Sequence, residues 1–576
     1  MPVEAAARLA RGLARRHGTD LEGAGLRLFE GRTLDTDVEF ESVLASTPTV
    51  GGEVLGRFYE RLIGAPTRRR TGLHVTPFDV ARGVVEHLDP GWRSARAVVL
   101  DPAVGAAAFL LASADALVEA GVGVADAVAA QHGCDLDPDA VAIAEAALAL
   151  WSIDHGLEPA PASGICVGDG LLDELPRADV VIGNPPFLNQ LRAGSAAAPA
   201  RRRALRERWG DLVGAYTDEA WLFLGAACRS VAAGGQVALL QPVSVLAARH
   251  GAAVRAEVAE RMCLRGLWVA DGPVFDAAVE VCAPFLRDRQ DGGGPDMDAP
   301  TQRWRGPRFE VVPPAASEPG PGEWGRTAAV IGGTPAVGLR TAAGTLADLA
   351  HATAGFRDQF YGFAPHVSEA GDSEDSEAAR LVTVGMIDPF RLRWGDTTFR
   401  FAGDHHRRPV VDLEALAAAD ARLADWARAR QRAKVLVATQ TRIVEAWVDE
   451  QGGVVPATPV ISVEPHDAAD LWPVAAMVMA PAIAADAAAR SFGTALSVRA
   501  IKLAASDLLE MPLPIDAAAW RRGATLAERL QHEPAAARAS LTARFVEAMA
   551  AGYGVAGESA DRLASWWLER WPKRFP

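Results

Sequence analysis

Two adjacent prolines end an apolar run in Val180-Val181-Ile182-Gly183-Asn184-Pro185-Pro186-Phe187. The run reads as a buried strand. Its backbone stops sharply, because neither proline can donate to a ladder and the first holds Asn184 in extended geometry. The strand therefore delivers one amide and one aromatic ring to its carboxyl end. In an open parallel α/β sheet that end is where ligands sit, so a rigid polar and aromatic step there suits chemistry on a planar group.

Upstream, three more predicted strands each close on an acidic residue. Ala97-Val98-Val99-Leu100-Asp101 runs into the small-residue turn Pro102 to Ala107 and then a helix from Ala108. That is the first βα unit of a doubly wound nucleotide-binding sheet. His132-Gly133-Cys134-Asp135 leads through Leu136-Asp137-Pro138 into an Ala-rich helix reaching Leu150, with Asp137 placed to cap it. The third is Ile165-Cys166-Val167-Gly168-Asp169-Gly170, in which Gly-Asp-Gly taken alone is only a turn signal. Thr76-Pro77 reads locally as a helix N-cap followed by proline at the first helical position, with the helix over Phe78 to Leu88.

In this order the segments resemble S-adenosylmethionine-dependent N6-adenine DNA methyltransferases of the Asn-Pro-Pro-Tyr/Phe type. The cofactor motifs come first and a target-recognition domain follows, as in Type I and Type IIG-like modification enzymes. The likeness covers most of residues 54 to 515. It implies a methyl transfer from S-adenosyl-L-methionine to the N6 amino group of an adenine flipped out of double-stranded DNA. By the same resemblance Thr76, Asp101, Ala103, Gly105, Asp135, Asp169 and Asn184 bind the cofactor, Asp135 at the ribose hydroxyls and Asp169 at the adenine amino group. Asn184, Pro185, Pro186 and Phe187 carry the catalysis, while Phe187 and Phe275 stack on the target base. No metal is implied. The family's turn is Asp-Pro-x-x-Gly-x-Gly-x-Phe, and Ala107 stands at its second glycine. A methyl group there would crowd the methionine part of the cofactor, or change the turn if the position needs positive φ. Enzymes with this motif also methylate RNA and protein glutamine, and a non-catalytic DNA-binding relative with an impaired cofactor site is a further alternative. The long chain after residue 288 favours DNA.

The rest of the chain divides by composition. Residues 1–65 read as a helical lead-in and 66–287 as the Rossmann-like methyltransferase domain. Residues 288–325, rich in Pro and Gly, read as a linker. Residues 326–519 alternate short apolar runs with turn signals, and the resemblance implies that they form an α+β target-recognition domain, with Lys434 to Ala438 and Ile443 to Gly453 as its clearest segments. A Trp-rich helical segment, 520–576, closes the chain. Of 576 residues, 49% are hydrophobic and 23% charged, an ordinary globular composition, and no uncharged apolar run is long enough to span a bilayer. The expectation is a cytoplasmic protein without a membrane partner, any restriction or defence subunit being a separate chain. The five cysteines contain no Cys-x-x-Cys pair and read as buried thiols. A net charge of −15 leaves phosphate binding to local clusters: Arg68 to Arg70, Arg201 to Arg208, and Arg391 to Arg408.

Overall fold

The computed structural model describes residues 2–29, 51–62, 76–187, 199–214, 217–275, 279–289, 300–314, 319–320, 322–355, 357–371, 378–494 and 500–572. The cluster Arg68 to Arg70 lies outside them. The chain divides into two compact units, with the changeover between residues 313 and 325.

The first unit is built on one large mixed sheet. Its strands are β1 (Val99–Asp101), β2 (Gln131–Asp135), β3 (Ile165–Val167), β4 (Ala178–Gly183), β5 (Val231–Leu239), β6 (Gln241–Pro242), β7 (Met262–Val269), β8 (Val281–Asp288), β9 (Gln302–Arg305) and β10 (Glu310–Val311). They lie in the order β10-β9-β7-β8-β5-β4-β1-β2-β3, with β6 paired to β8. The β3-β2-β1-β4-β5 half is parallel. β8 runs antiparallel to both β5 and β7. The chain steps outward from β1 to β3 and then returns to the other side of β1, so strand order reverses between β1 and β4. This is the doubly wound arrangement expected, and the reversal opens a crevice at the strand ends.

Helices α1 (Pro2–Arg16), α2 (Gly52–Leu62), α3 (Phe78–Glu86), α4 (Ala108–Glu119), α5 (Val124–Ala129), α6 (Pro138–Asp154), α7 (Pro199–Trp209), α8 (Glu219–Ser230) and α9 (Ala252–Arg261) complete this unit. α6 explains why the lead-in belongs to it. Val141, Ala144, Ala147, Leu148 and Trp151 pack in the core over the sheet, whereas Ala142, Ile143, Ala146, Ala149 and Leu150 pack with Leu9, Leu13 and Tyr59 of α1 and α2. A helix apolar all round is a buried helix, and here the lead-in supplies the second cover. Glu145, buried within α6, accepts from the Arg27 N–H at 2.9 Å.

Residues 302–311 correct the linker assignment. β9 runs parallel to β7, and β10 turns back on β9. The turn between them carries Phe309, whose ring stacks on Trp268 at 5.0 Å and on His87 at 4.6 Å. Composition pointed to a loop because these strands are only four and two residues long. Their pairing is supplied by distant chain.

The second unit is α+β. One antiparallel sheet joins Ala350–Ala354, Ile461–Pro465, Lys434–Val437 and Ala446–Asp449; a second, mixed sheet joins Val367–Glu369, Pro409–Val411, Ala379–Val382 and Val454–Pro456, the last two running parallel. Lys434 is fully buried and paired with Asp449 across the hairpin. Burial depresses the lysine's pKa, and Asp449 works against that shift. The division at residue 520 also needs correction. Helices Ala517–His532, Ala535–Gly552 and Glu558–Arg570 share one core with Val435, Val463 and Met477, and Phe545 meets Phe390 edge to face at 5.2 Å. Removing a fully buried indole should therefore destabilise the whole second unit. Trp567→Ala is expected to cost about 3–5 kcal/mol, seen as a lowered urea midpoint of that unit's transition. An unchanged midpoint would mean that the last helices are an appendage.

Candidate functional site

The crevice at the strand ends is a cavity of about 370 Å³. That lies within the usual size of a small-molecule site, about 300–1,000 Å³. Thr76, Asp101, Ala103, Gly105, Asp135, Asp169 and Asn184 all line it. The ends of four neighbouring strands, together with Thr76 just ahead of α3, thus bring these residues to one cavity.

Two glycines make the close packing possible. At Gly183 an added Cβ would collide with the Asp101 carboxylate, and at Gly170 with the Pro102 carbonyl oxygen. Asp101 is buried against the first of these and accepts from the Ala103 N–H at 3.0 Å. Burial pushes its carboxyl up to about 7; the Ala103 amide pulls the other way and Asp135 adds to the rise. Asp135 has one oxygen on the Gly105 N–H and the other on the Asp137 N–H, each at 3.0 Å. Its pKa is also raised, chiefly by burial.

The small-residue turn keeps its glycine-type geometry with one glycine fewer. Gly105 has φ +50° and Ala107 has φ +63°. The left-handed conformation costs alanine roughly 1–2 kcal/mol. The Ala107 methyl is fully buried among the core residues over the sheet, so it does not crowd the cavity as the sequence suggested. Asp137 caps α6 by accepting from the Asp139 N–H at 3.0 Å, as expected. Thr76 does not cap. The N-cap of α3 is Pro77, one residue later than predicted, and Thr76 is buried at the cavity wall instead.

The catalytic step lies beside these residues. Pro185 is buried, while Asn184, Pro186 and Phe187 are half-buried. Phe275, expected to stack on the target base, lies next to Phe187, and the two rings meet edge to face at 6.1 Å and 62°. Phe275 is only 7% exposed and belongs largely to the core.

Sequence reasoning missed several lining residues: Leu136, Arg201, Glu219 and Phe223. Leu136 was passed over as the residue between two acids, yet it is 59% exposed, an apolar wall left open. In the sequence Arg201 belongs to a basic cluster available for phosphate binding. Its Nη1 instead pairs with Asp169, and its Nη2 and Nε donate to Glu219 Oε2 at 2.9 and 3.2 Å. Burial works against the guanidinium charge, but Asp169 and Glu219 outweigh it and raise the arginine's pKa. Arg206 and Arg208 are exposed, and exposed Arg203 pairs with Glu207. In the second unit Arg391 pairs with Asp396 and Arg393 with buried Asp388, while Arg400 is exposed. The free cysteines also depart partly from expectation: Cys166 is exposed on edge strand β3 and Cys263 is half-buried. Tyr59, from the lead-in, reaches the cavity too, its hydroxyl pKa raised first by burial and then by Asp137, Asp139 and Asp135.

A doubly wound sheet with acids on successive strand ends, and Asn-Pro-Pro-Phe on the next, is the Rossmann-like methyltransferase arrangement expected from the sequence. Residues 51–291 match the family model of N-6 DNA methylases, so the first unit is an N6-adenine DNA methyltransferase domain. No curated protein matches the chain. Among solved structures, the Type IIL restriction-modification enzyme MmeI, in complex with DNA, is 12% identical with a TM-score of 0.62, over 98% of this chain and 90% of that one. The fold likeness therefore extends through both units. The type IIG restriction endonuclease BpuSI is 13% identical with a TM-score of 0.46, over 99% of this chain and 78% of that one. A type I methyltransferase subunit from Streptococcus thermophilus is 18% identical with a TM-score of 0.34, over 46% and 54% respectively.

Asp101 gives the site a pH signature. Its value of about 7 in the folded protein lies above the ordinary 3.8, so the folded state holds a proton that the unfolded state has released. Stability of the ligand-free protein should then fall as pH rises from about 4 to about 7, and level off above. Asp101→Asn should flatten that slope in urea midpoints measured across the interval. An identical slope in the variant would assign the proton elsewhere.

Proposed function

We propose that this DNA methyltransferase transfers a methyl group from S-adenosylmethionine, the cofactor of its family, to the N6 of an adenine flipped out of double-stranded DNA at a defined sequence. The observation that carries this is Asn184, which stands on the wall of the same cavity as Asp101, Asp135 and Asp169.

The donor set suits such a cofactor. Carboxylates at Asp101 and Asp135 match an ammonium group and ribose hydroxyls, Asp169 matches an exocyclic amino group, and Leu136 with Phe223 offers apolar walls for a purine. Thr76, Ala103 and Gly105 complete the cofactor's surroundings. When bound, the cofactor supplies an electrophilic methyl on a sulfonium. The work of the chain is to orient the acceptor. Adenine's exocyclic nitrogen is a poor nucleophile because its lone pair is delocalised into the ring. The Asn184 side-chain oxygen and the Pro185 carbonyl accept its two N–H bonds and turn the lone pair out of the ring plane, towards the methyl group. Pro186 stiffens that step. Phe187 stacks on the base, and Phe275, meeting it edge to face, braces the ring rather than forming a second stacking surface. Positioning supplies most of the acceleration, so no strong general base is needed.

Asn184→Ala should abolish N6-methyladenine, measured by mass spectrometry of nucleosides from DNA of expressing cells, while cofactor affinity stays within a few-fold. Near-normal methylation in the variant would sink the mechanism.

The second unit is proposed to choose the sequence, because one flipped base cannot discriminate among several base pairs and further groove contacts are required. A protein ending after Pro313, which retains β9 and β10, should bind cofactor yet show no preference among DNA sequences. Selective methylation of one site by that shortened protein would remove the role from the second unit.

A further inference from the structure

Arg201 has both ends of its guanidinium committed inside the cavity. Glu219 is the fixed end: its side chain is 2% exposed, and it sits in the first turn of α8 just after Asp218, which caps that helix through the Ala220 N–H at 3.0 Å. Glu219 takes Nε and Nη2 together, which leaves Nη1 to hold Asp169 Oδ2. The other Asp169 oxygen accepts from the Leu171 N–H at 2.9 Å. Both oxygens are therefore held by donors on two sides, while each keeps a second acceptor site.

A carboxylate held in this way differs from a mobile one. A mobile carboxyl group can turn, or carry a proton, and so accept from one ligand and donate to another. Asp169 faces a guanidinium on one oxygen and an amide on the other, and so presents acceptors only. An acceptor-only group welcomes an exocyclic amino group and repels a carbonyl oxygen in its place. Such mismatches, which leave buried polar groups facing like groups, discriminate far more strongly than shape does. The doubly wound frame itself requires no cation here, and among the described lining residues Arg201 is the only arginine or lysine.

We propose that Arg201, braced by Glu219, is a positioning residue through which Asp169 selects a 6-amino purine over a 6-oxo purine in the cofactor. The proposal rests on the reading of Asp169 as the acceptor for the cofactor's adenine. Arg201 acts through Asp169, so its effect should vanish when Asp169 is already altered.

The test is calorimetric binding of two probes, S-adenosylhomocysteine and its deaminated 6-oxo analogue S-inosylhomocysteine, to the full chain and its variants. The unaltered protein should prefer the amino form at least roughly tenfold, as expected for a charge-assisted hydrogen bond. Arg201→Met should bring the preference to within about threefold, and Arg201→Lys, which keeps the charge but not the fork, should fall between. Adding Arg201→Met to Asp169→Asn should change the preference no further than Asp169→Asn alone. Thermal melts accompany each variant. If Arg201→Met does not fold, Glu219→Gln, which loosens the brace while keeping its shape, should lower the preference in the same direction. An Arg201→Met protein, or that substitute, that binds both probes more weakly with the preference intact would overturn the proposal and leave the Asp169 reading standing. Absence of preference in the unaltered protein would overturn both.

Discussion

The site depends on the contact between the Asp101 carboxylate at the end of β1 and Gly183 at the end of β4. Val99 and Leu100 pair with Val180 and Val181 in parallel register, so the two strand ends lie side by side at the reversal of strand order. No side chain fits between them, because a Cβ on Gly183 would overlap the carboxylate. The absence of that one atom sets Asn184 beside the acids. It also seals Asp101 from water, which is why burial dominates its raised pKa. Packing and protonation at this point are one constraint.

Electrostatics then distinguish the parts of the cavity. At the β1 and β2 ends the carboxylates are answered by backbone amides alone: Ala103 for Asp101, Gly105 and Asp137 for Asp135. Those amides are fixed by the turn and cannot leave. Around Asp169 a side chain from a different helix, Arg201, does part of this work and is itself tied to Glu219. The guanidinium thus offsets the charge of Asp169 and Glu219, while at the β1 and β2 ends burial raises the pKa of Asp101 and Asp135 against the pull of their amides.

The second unit shows the same economy on a larger scale. Its antiparallel sheet around Lys434–Val437 leaves an apolar face, and the helices near the chain's end, far away in sequence, bury it. The Lys434 and Asp449 pair sits inside the hairpin with further donors to Asp449 from the Gly453 and Val454 amides at 3.1 and 3.2 Å. A buried ion pair is tolerated when its remaining hydrogen-bonding capacity is satisfied, and these amides help to satisfy it.

Local chemistry made much of the first unit legible. Apolar runs closed by Asp101, Asp135, Asp169 and Asn184 carry both their strand character and their polar termini in a few consecutive residues, so order alone implied the doubly wound sheet and its crevice. Cap and turn residues such as Asp137 were readable for the same reason. What the sequence could not contain was which distant surfaces meet. Residues 302–311 look like linker until β7 offers them a ladder, and the last helices look separate until the sheet they cover is in place. Ala107 named a difficulty, but only the fold decided that its methyl points into the core while its backbone takes the glycine conformation. Arg201 looked like one of a surface run, since a run of arginines says nothing of which one turns inward. That choice was made by Asp169 and Glu219, residues 32 positions before and 18 after, because two buried carboxylates need a cation and only the tertiary structure brings one within reach.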